Sequence, residues 1–94
     1  MANAILFSDR YLSDLDAIIE NLWLASKKAV DDFAEEHDKC VENLMLFPRL
    51  GTPQRRNRFS LPVARTGYRI VYELSGETLT MVAIENVRRR RKAK

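Results

Sequence analysis

One stretch decides the fold of this chain of 94 residues: Gly67-Tyr68-Arg69-Ile70-Val71-Tyr72-Glu73-Leu74. Large apolar residues stand at every second position, a period that predicts a β-strand. One face of this strand carries Tyr68, Ile70, Tyr72 and Leu74. The other face carries Arg69, Val71 and Glu73. Ser75-Gly76 then predicts a two-residue hairpin turn, and Thr78–Glu85 predicts the strand that returns beside the first.

Helical periodicity precedes these strands. Ala4–Phe7 is a short apolar run that predicts a first strand, and Ser8 after it is suited to cap a helix. A first helix is indicated by an apolar stripe at steps of three and four, formed by Leu12, Leu15, Ile18, Ile19, Leu22 and Trp23. Ser26 is suited to cap a second helix, whose stripe consists of Val30, Phe33, Ala34, His37, Val41, Leu44 and Met45. The turn between the helices is so short that they should pack as a hairpin, with Trp23, Phe33 and Phe47 in the core.

Turn signals separate the helices from the main strand. Phe47–Pro53, with the sequence FPRLGTP, ends the second helix, because Pro48 biases the residue before it away from the helical region. Gln54–Asn57 is polar and basic and predicts a surface loop. From Arg58 the period is two again. Pro62 in this strand should lie at an edge or a bulge, since it has no N–H to donate to a neighbouring strand.

The elements together predict an α+β fold in the order β-α-α-β-β-β, as a single domain over residues 1–94. The helix hairpin is expected over about residues 8–47, packed on one face of a small, mainly antiparallel sheet over about residues 58–85. A basic C-terminal tail, residues 86–94, follows the sheet. The sheet face opposite the helices is left free for a partner.

Charge is distributed unevenly along the chain. Residues 1–47 hold ten Asp and Glu against four Lys and Arg, a net charge of −6, and residues 48–94 hold twelve Lys and Arg against three Glu, a net charge of +9. Six of the seven residues in Arg88–Lys94 are basic. Such an end binds polyanions or an acidic protein segment.

Composition excludes several classes of protein. No apolar run approaches the roughly 20 residues that span a bilayer, so no membrane partner is expected. The first residues lack the basic start and long apolar stretch of a signal peptide. Cys40 is the only cysteine, which rules out an intrachain disulfide and makes a reducing cytoplasm the expected setting. His37 and Cys40 together give no recognisable metal-binding set.

Three motifs in register resemble the RelE/ParE superfamily of toxins from bacterial type II toxin–antitoxin modules. Phe47–Pro53 is similar to the family's FPxLGxP motif that closes the helix hairpin, and Gly67–Leu74 is similar to its GYRxVY strand. Val82–Arg90 is similar to its last strand, which runs into a basic end. Together with the order of the elements, the match spans essentially the whole chain.

The resemblance implies one of two activities, neither of which needs a cofactor. RelE-like members are ribonucleases that enter the ribosome and cut mRNA, whereas ParE-like members poison DNA gyrase. In both branches a cognate antitoxin binds and silences the toxin, and contact with operator DNA is made through that antitoxin. A third possibility is an inactive member that only binds its antitoxin and regulates the operon.

For a RelE-like enzyme, the resemblance implies Arg69 and Arg89 as the catalytic residues, which would clamp a phosphate. Strand alternation places Arg69 on the free face of the sheet, where Glu73 or Glu85 is an alternative, purely structural partner. The candidates for binding the target or the antitoxin are Arg58, Arg65, Arg69, Arg88, Arg89, Arg90 and Arg91.

The other residues that the family's nucleases use for catalysis are missing from this sequence. Two lysines that the family's nucleases carry on the preceding strand align with Ser60 and Pro62, and no Tyr or His follows Tyr72. His37 continues the apolar stripe of the second helix and is interpreted as a packed residue. The departure from the nuclease pattern favours the ParE-like branch, with DNA gyrase as the target. The alternative is RelE-like cleavage of mRNA on the ribosome.

Overall fold

The structure is a computed structural model, and it describes residues 1–87. Its elements are β1 (Ala4–Phe7), α1 (Asp9–Ala25), α2 (Lys27–Leu46), β2 (Thr52–Arg55), β3 (Arg58–Val63), β4 (Tyr68–Ser75) and β5 (Thr78–Asn86). The strands form one sheet in the order β1-β5-β4-β3-β2, in which β1 runs parallel to β5 and the other neighbours are antiparallel. The predicted α+β fold is therefore confirmed, with one strand more than the sequence indicated.

The additional strand is β2, which occupies part of the predicted surface loop. Thr52 pairs with Ser60 and Pro53 pairs with Phe59, and the register shifts between Pro53 and Arg55. All of β2 is exposed, since it forms an edge of the sheet. The prediction of a loop is wrong for the two residues of Gln54–Asn57 that belong to β2. Because β2 reaches only as far as Ser60, no described strand flanks Pro62 on that side, as expected for a proline within a strand.

The buried face of α1 includes half of the predicted stripe, namely Leu15, Ile18 and Leu22, and is displaced from its remaining residues toward Tyr11. The row that packs on the core consists of Tyr11, Leu15, Ile18 and Leu22. Leu12 and Trp23 lie in the neighbouring row and are 47% and 58% exposed. One position along a helix turns a side chain by about 100° around the axis. The prediction that Trp23 belongs to the core is therefore wrong.

Of the two other aromatic residues predicted in the core, one is there and one is not. Phe33 of α2 is 2% exposed, and its ring lies edge-on to that of Tyr68, with 5.7 Å between the centroids. Phe47, however, is 62% exposed. Phe47 is the C-cap of α2, where the backbone has left helical geometry (φ −131°, ψ 78°) and the side chain no longer follows the buried stripe.

Serine side chains begin both helices, as predicted. Ser8 Oγ accepts a hydrogen bond from the backbone N–H of Tyr11 at 3.0 Å, and Ser26 Oγ accepts one from Ala29 at 3.0 Å. The Ser8 hydroxyl also donates to the carbonyl of Val82 in β5 at 2.8 Å. The start of α1 is therefore fixed to the sheet as well as to its own first turn.

The core lies between the helices and one face of the sheet. Helix α1 packs on β5 and α2 packs on β3. The largest fully buried side chains are Tyr11, Tyr72, Phe33, Leu44, Ile70, Leu79, Met81 and Val63. No helix within residues 1–87 is long and apolar enough to cross a membrane.

Candidate binding face of the sheet

The face of the sheet opposite the helices carries the arginines that the sequence singled out on the strands. Ile70 and Tyr72 of β4 point into the core, so Arg69, Val71 and Glu73 lie on the opposite face, as strand alternation predicted. Strand pairing sets Arg69 beside Glu85 of β5 and sets Glu73 beside Arg58 of β3. The face therefore presents two cross-strand pairs, each of which consists of one arginine and one glutamate.

Both arginines of these pairs bind their carboxylates through two nitrogen atoms. In Arg69, Nε and Nη2 donate to Glu85 Oε1 at 3.1 and 2.9 Å. In Arg58, Nε and Nη2 donate to Glu73 Oε2 at 3.1 and 2.6 Å. The side chains of the first pair are about a quarter exposed (25% and 27%), and those of the second are 39% and 38% exposed. Of the two partners that the sequence offered for Arg69, the structure selects Glu85.

A row of small, uncharged residues separates the two ion pairs. Ser60, Val71 and Ala83 lie side by side on β3, β4 and β5, and each is buried. Gln54 of β2 donates to the Ser60 hydroxyl at 3.0 Å, which extends the polar contacts to the edge of the sheet. Arg55 stands next to Arg58 in the strand register and is exposed. The row itself offers a hydroxyl and two apolar side chains, without a charge.

Arg65 does not join the arginines on this face. It lies in the turn between β3 and β4 with a positive φ of 65°, and its side chain is 82% exposed. Its Nη2 donates to Glu36 Oε2 of α2 at 3.2 Å, on the helical side of the molecule. The remaining binding candidates, Arg88, Arg89, Arg90 and Arg91, lie outside the described residues. The predicted set is therefore divided, with Arg58 and Arg69 together and Arg65 apart from them.

Tyr72 connects the GYRxVY strand to the segment that closes the helix hairpin. Its hydroxyl accepts a hydrogen bond from the backbone N–H of Gly51 at 2.9 Å and donates to the carbonyl of Pro48 at 2.9 Å. A Cβ on Gly51 would lie 2.6 Å from the carbonyl oxygen of Ser60, so this backbone approach requires glycine. Burial raises the pKa of the Tyr72 phenol, which keeps the hydroxyl protonated. The two motifs are thus one structural unit, and Tyr72 is committed to it.

His37 is a packed residue on the helical side, as interpreted from the sequence. It is 9% exposed, and its Nε2 lies 2.6 Å from the hydroxyl of Tyr11, which is fully buried. Burial raises the pKa of Tyr11 well above the ordinary range, so that phenol stays neutral. Burial likewise raises the pKa of the Cys40 thiol, which makes it a weak nucleophile. Periodicity did not indicate Tyr11, because it stands one position before the predicted stripe.

The described part of this face holds few groups that could move a proton. Within residues 1–87 the hydrogen-bonding side chains facing away from the helices on β3, β4 and β5 include the hydroxyls of Ser60 and Thr80 and two carboxylates, both bound by arginine. No cluster of three or more His, Cys, Asp or Glu suited to a metal ion exists in that part of the chain. The described part of the face offers paired charges and a shaped, uncharged row through which a partner could bind.

The match to a protein family agrees with this fold and these motifs. The model of the family described as ParE toxin of type II toxin–antitoxin system, parDE, matches residues 5–93. The chain therefore belongs to the ParE toxin family of type II toxin–antitoxin systems, and the resemblance seen in its sequence is confirmed. No curated protein is similar enough in sequence to be matched.

Solved structures with the same fold come from both branches of the superfamily. The chromosomal ParDE system of P. aeruginosa matches with a TM-score of 0.65 at 16% identity, over 89% of this chain and 95% of that one. A mutant of the E. coli toxin RelE, in complex with a peptide of the antitoxin RelB, matches with a TM-score of 0.63 at 19% identity, over 100% and 96%. The intact E. coli RelBE complex matches with a TM-score of 0.62 at 18% identity, over 90% and 96%. At such identities the likeness shows the fold, which ParE and RelE share.

Proposed function

We propose that this protein is a toxin that stops growth by poisoning DNA gyrase and that a cognate antitoxin neutralises it. The observation that carries the choice of target is the state of Arg69, the residue that a RelE-like nuclease would use at the scissile phosphate. Its guanidinium is bound by Glu85 through two nitrogen atoms. A phosphate would have to displace that carboxylate before the arginine could stabilise a developing charge.

The chemistry around Arg69 supports the same choice. Cleavage of RNA by its own 2′-hydroxyl needs a base for the attacking hydroxyl and an acid for the leaving oxygen. In the described part of the sheet face, the neighbours of Arg69 across the strands are Pro62 and Glu85, and neither is a free proton donor. Poisoning of gyrase is a binding function and needs neither group.

RelE-like cleavage of mRNA is the second candidate. It is favoured by the position of Arg69 on the sheet face to which the resemblance assigns a catalytic arginine. It would also require Arg89, which lies outside the described residues. A third candidate, an inactive member that regulates its operon, would leave growth unaffected when expressed.

The experiment is purified, antitoxin-free protein incubated with DNA gyrase, supercoilable plasmid and ATP, with linear DNA scored beside supercoiling. Dose-dependent accumulation of linear DNA is the expected result. The same preparation is added to programmed ribosomes, where intact mRNA is expected. Arg69→Ala is compared with Arg49→Ala, which removes one exposed positive charge outside the sheet. The proposal would be overturned, and a nuclease identified, if the wild type and Arg49→Ala cut mRNA and Arg69→Ala did not.

The antitoxin is expected to be acidic and amphipathic where it contacts the toxin. The C-terminal half of the chain carries a net charge of +9, from twelve Lys and Arg against three Glu. An acidic segment that folds on binding can cover such a surface together with apolar side chains. Neutralising Arg88–Arg91 should weaken this complex, with the difference shrinking as salt is raised. A complex of unchanged affinity at low salt would contradict this mode of binding. Gyrase and such an antitoxin would meet the toxin in the cytoplasm, and operator DNA would be contacted through the antitoxin.

A further inference from the structure

The sheet face contains two arginines in a geometry that suits phosphate, and each is already occupied. A guanidinium recognises the two oxygens of a carboxylate and of a phosphate with the same planar fork. Arg58 directs Nε and Nη2 to one oxygen, Oε2 of Glu73, and Arg69 directs Nε and Nη2 to one oxygen, Oε1 of Glu85. We propose that Glu73 and Glu85 are specificity-determining residues, which keep nucleic acid off this face by occupying the arginines that would otherwise bind its phosphates.

Strand register makes these carboxylates effective competitors. Glu73 is the cross-strand neighbour of Arg58, and Glu85 is that of Arg69. Side chains directly opposite each other in a sheet have Cβ atoms only about 5 Å apart, so each glutamate stays beside its arginine without ordering a loop. An incoming phosphate must separate the pair and then remain near the displaced negative charge. Both effects lower the affinity of the face for a polyanion.

The surroundings of the pairs would favour phosphate if the carboxylates were neutral. Arg55 stands next to Arg58 in the register and is exposed. Without the charge of Glu73, these two cations would lie together on one side of the uncharged row, with Arg69 on the other side. The sheet therefore presents arginines, but the glutamates prevent these arginines from binding RNA. This inference rests on the proposed function, because RelE-like cleavage would require a phosphate of mRNA at Arg69; the RNA-binding test below is read independently of the gyrase assay.

The test compares the full-length protein with Glu73→Gln/Glu85→Gln for binding of a labelled single-stranded RNA of about 20 nucleotides, measured by anisotropy between about 0.05 and 0.5 M NaCl. The slope of log K against log salt steepens by about 0.7 for each further phosphate that a protein neutralises on a single strand, so the double variant should steepen it by about 1.4. Over that tenfold range of salt, its affinity relative to wild type should change by about 25-fold. Each single variant should give half the change in slope.

Glu20→Gln/Glu42→Gln is the matched control. It raises the net charge by the same amount, but both glutamates are exposed on the helices and away from the sheet face. Its slope should equal that of wild type, since the basic residues of the tail are common to all the proteins. Circular dichroism verifies that each variant retains its fold.

Adding Arg58→Gln and Arg69→Gln to the double variant should return the slope to the wild-type value. The proposal is overturned if the double variant and its control have equal slopes. It is also overturned if the steeper slope survives the loss of both arginines, because the phosphates would then be bound elsewhere.

Discussion

Replacing Tyr72 with Phe removes one oxygen atom and should destabilise the protein, because that oxygen makes two hydrogen bonds to the segment that closes the helix hairpin. The hydroxyl accepts from Gly51 N–H and donates to the Pro48 carbonyl, both at 2.9 Å. The ring is fully buried and stacks on Phe59 with 5.3 Å between the centroids, and phenylalanine preserves that packing. The loss is therefore confined to two hydrogen bonds and to the two backbone groups left without them.

The magnitude follows from the burial of those groups. A neutral hydrogen bond contributes about 1 kcal/mol to stability, and a buried donor left without a partner costs about 1–3 kcal/mol. Gly51 is buried, so its N–H has no access to water, whereas Pro48 is half-buried and its carbonyl can be hydrated. The expected loss in the free energy of unfolding is about 2–3 kcal/mol. For a domain of this size that corresponds to a fall in Tm of about 10–20 °C.

Urea and thermal unfolding followed by far-UV circular dichroism measure this loss. Fluorescence is a poor probe, because the single tryptophan, Trp23, is already 58% exposed in the folded state. Tyr68→Phe is the control: its ring packs on Phe33, and its hydroxyl makes no hydrogen bond within residues 1–87. That variant should lie within about 0.5 kcal/mol of wild type. Equal stabilities of the Tyr72 and Tyr68 variants would refute the assignment of Tyr72 as the residue that holds the closing segment.

Two further predictions concern the buried residues Gly51 and Tyr11. Gly51→Ala should cost about 1–3 kcal/mol, since its Cβ would meet the Ser60 carbonyl at 2.6 Å and the sheet backbone would have to move; a thermal unfolding curve like that of wild type would show that the approach is looser than described. Stability should fall as the pH rises above about 10, because burial raises the pKa of Tyr11 above its ordinary 10.0 and the unfolded chain therefore loses that proton first. Urea midpoints from about pH 8 to about pH 11 should decline less steeply for Tyr11→Phe than for wild type, and parallel declines would count against the buried phenol as the cause.

The fold could be predicted from the sequence wherever one face of an element is buried. The alternation in Gly67–Leu74 and the caps at Ser8 and Ser26 correspond to observed elements, because burial and capping each impose a choice of residue that is visible in the sequence. β2 could not be predicted in this way. It is exposed along its whole length and contains Pro53, so neither periodicity nor composition distinguishes it from a loop.

The buried face of α1 was predicted in part: Leu15, Ile18 and Leu22 pack on the core as expected, whereas Tyr11 was missed. Tyr11 begins the buried row of α1, but a tyrosine beside Leu12 looks like a boundary residue, since its hydroxyl needs a partner in the core. That partner is His37, 26 positions away in the chain. His37 lies in the predicted stripe of α2 and Tyr11 stands four positions before Leu15, but neither helix taken alone shows that the two side chains pair.

The candidate site was predicted only in part, because some of its contacts depend on how separate elements pair. Alternation placed Arg69 on the free face correctly, because this depends only on the strand itself. The choice of Glu85 as its partner depends on the register between β4 and β5, which shifts between Val71 and Tyr72. The pairing of Arg58 with Glu73 also depends on register, and the separation of Arg65 from the other arginines depends on the β3–β4 turn.

The position of β5 in the sheet affects how the protein is made. The last strand lies between the first strand and β4, and it supplies Leu79, Met81 and Ile84 to the core. A nascent chain therefore cannot complete its sheet until almost the whole sequence has left the ribosome, however early its helices form. Premature termination or trimming within β5 leaves β1 without its strand partner and α1 without the strand on which it packs. Incomplete translation products should therefore be unfolded substrates for proteases, and only finished chains should contribute folded protein.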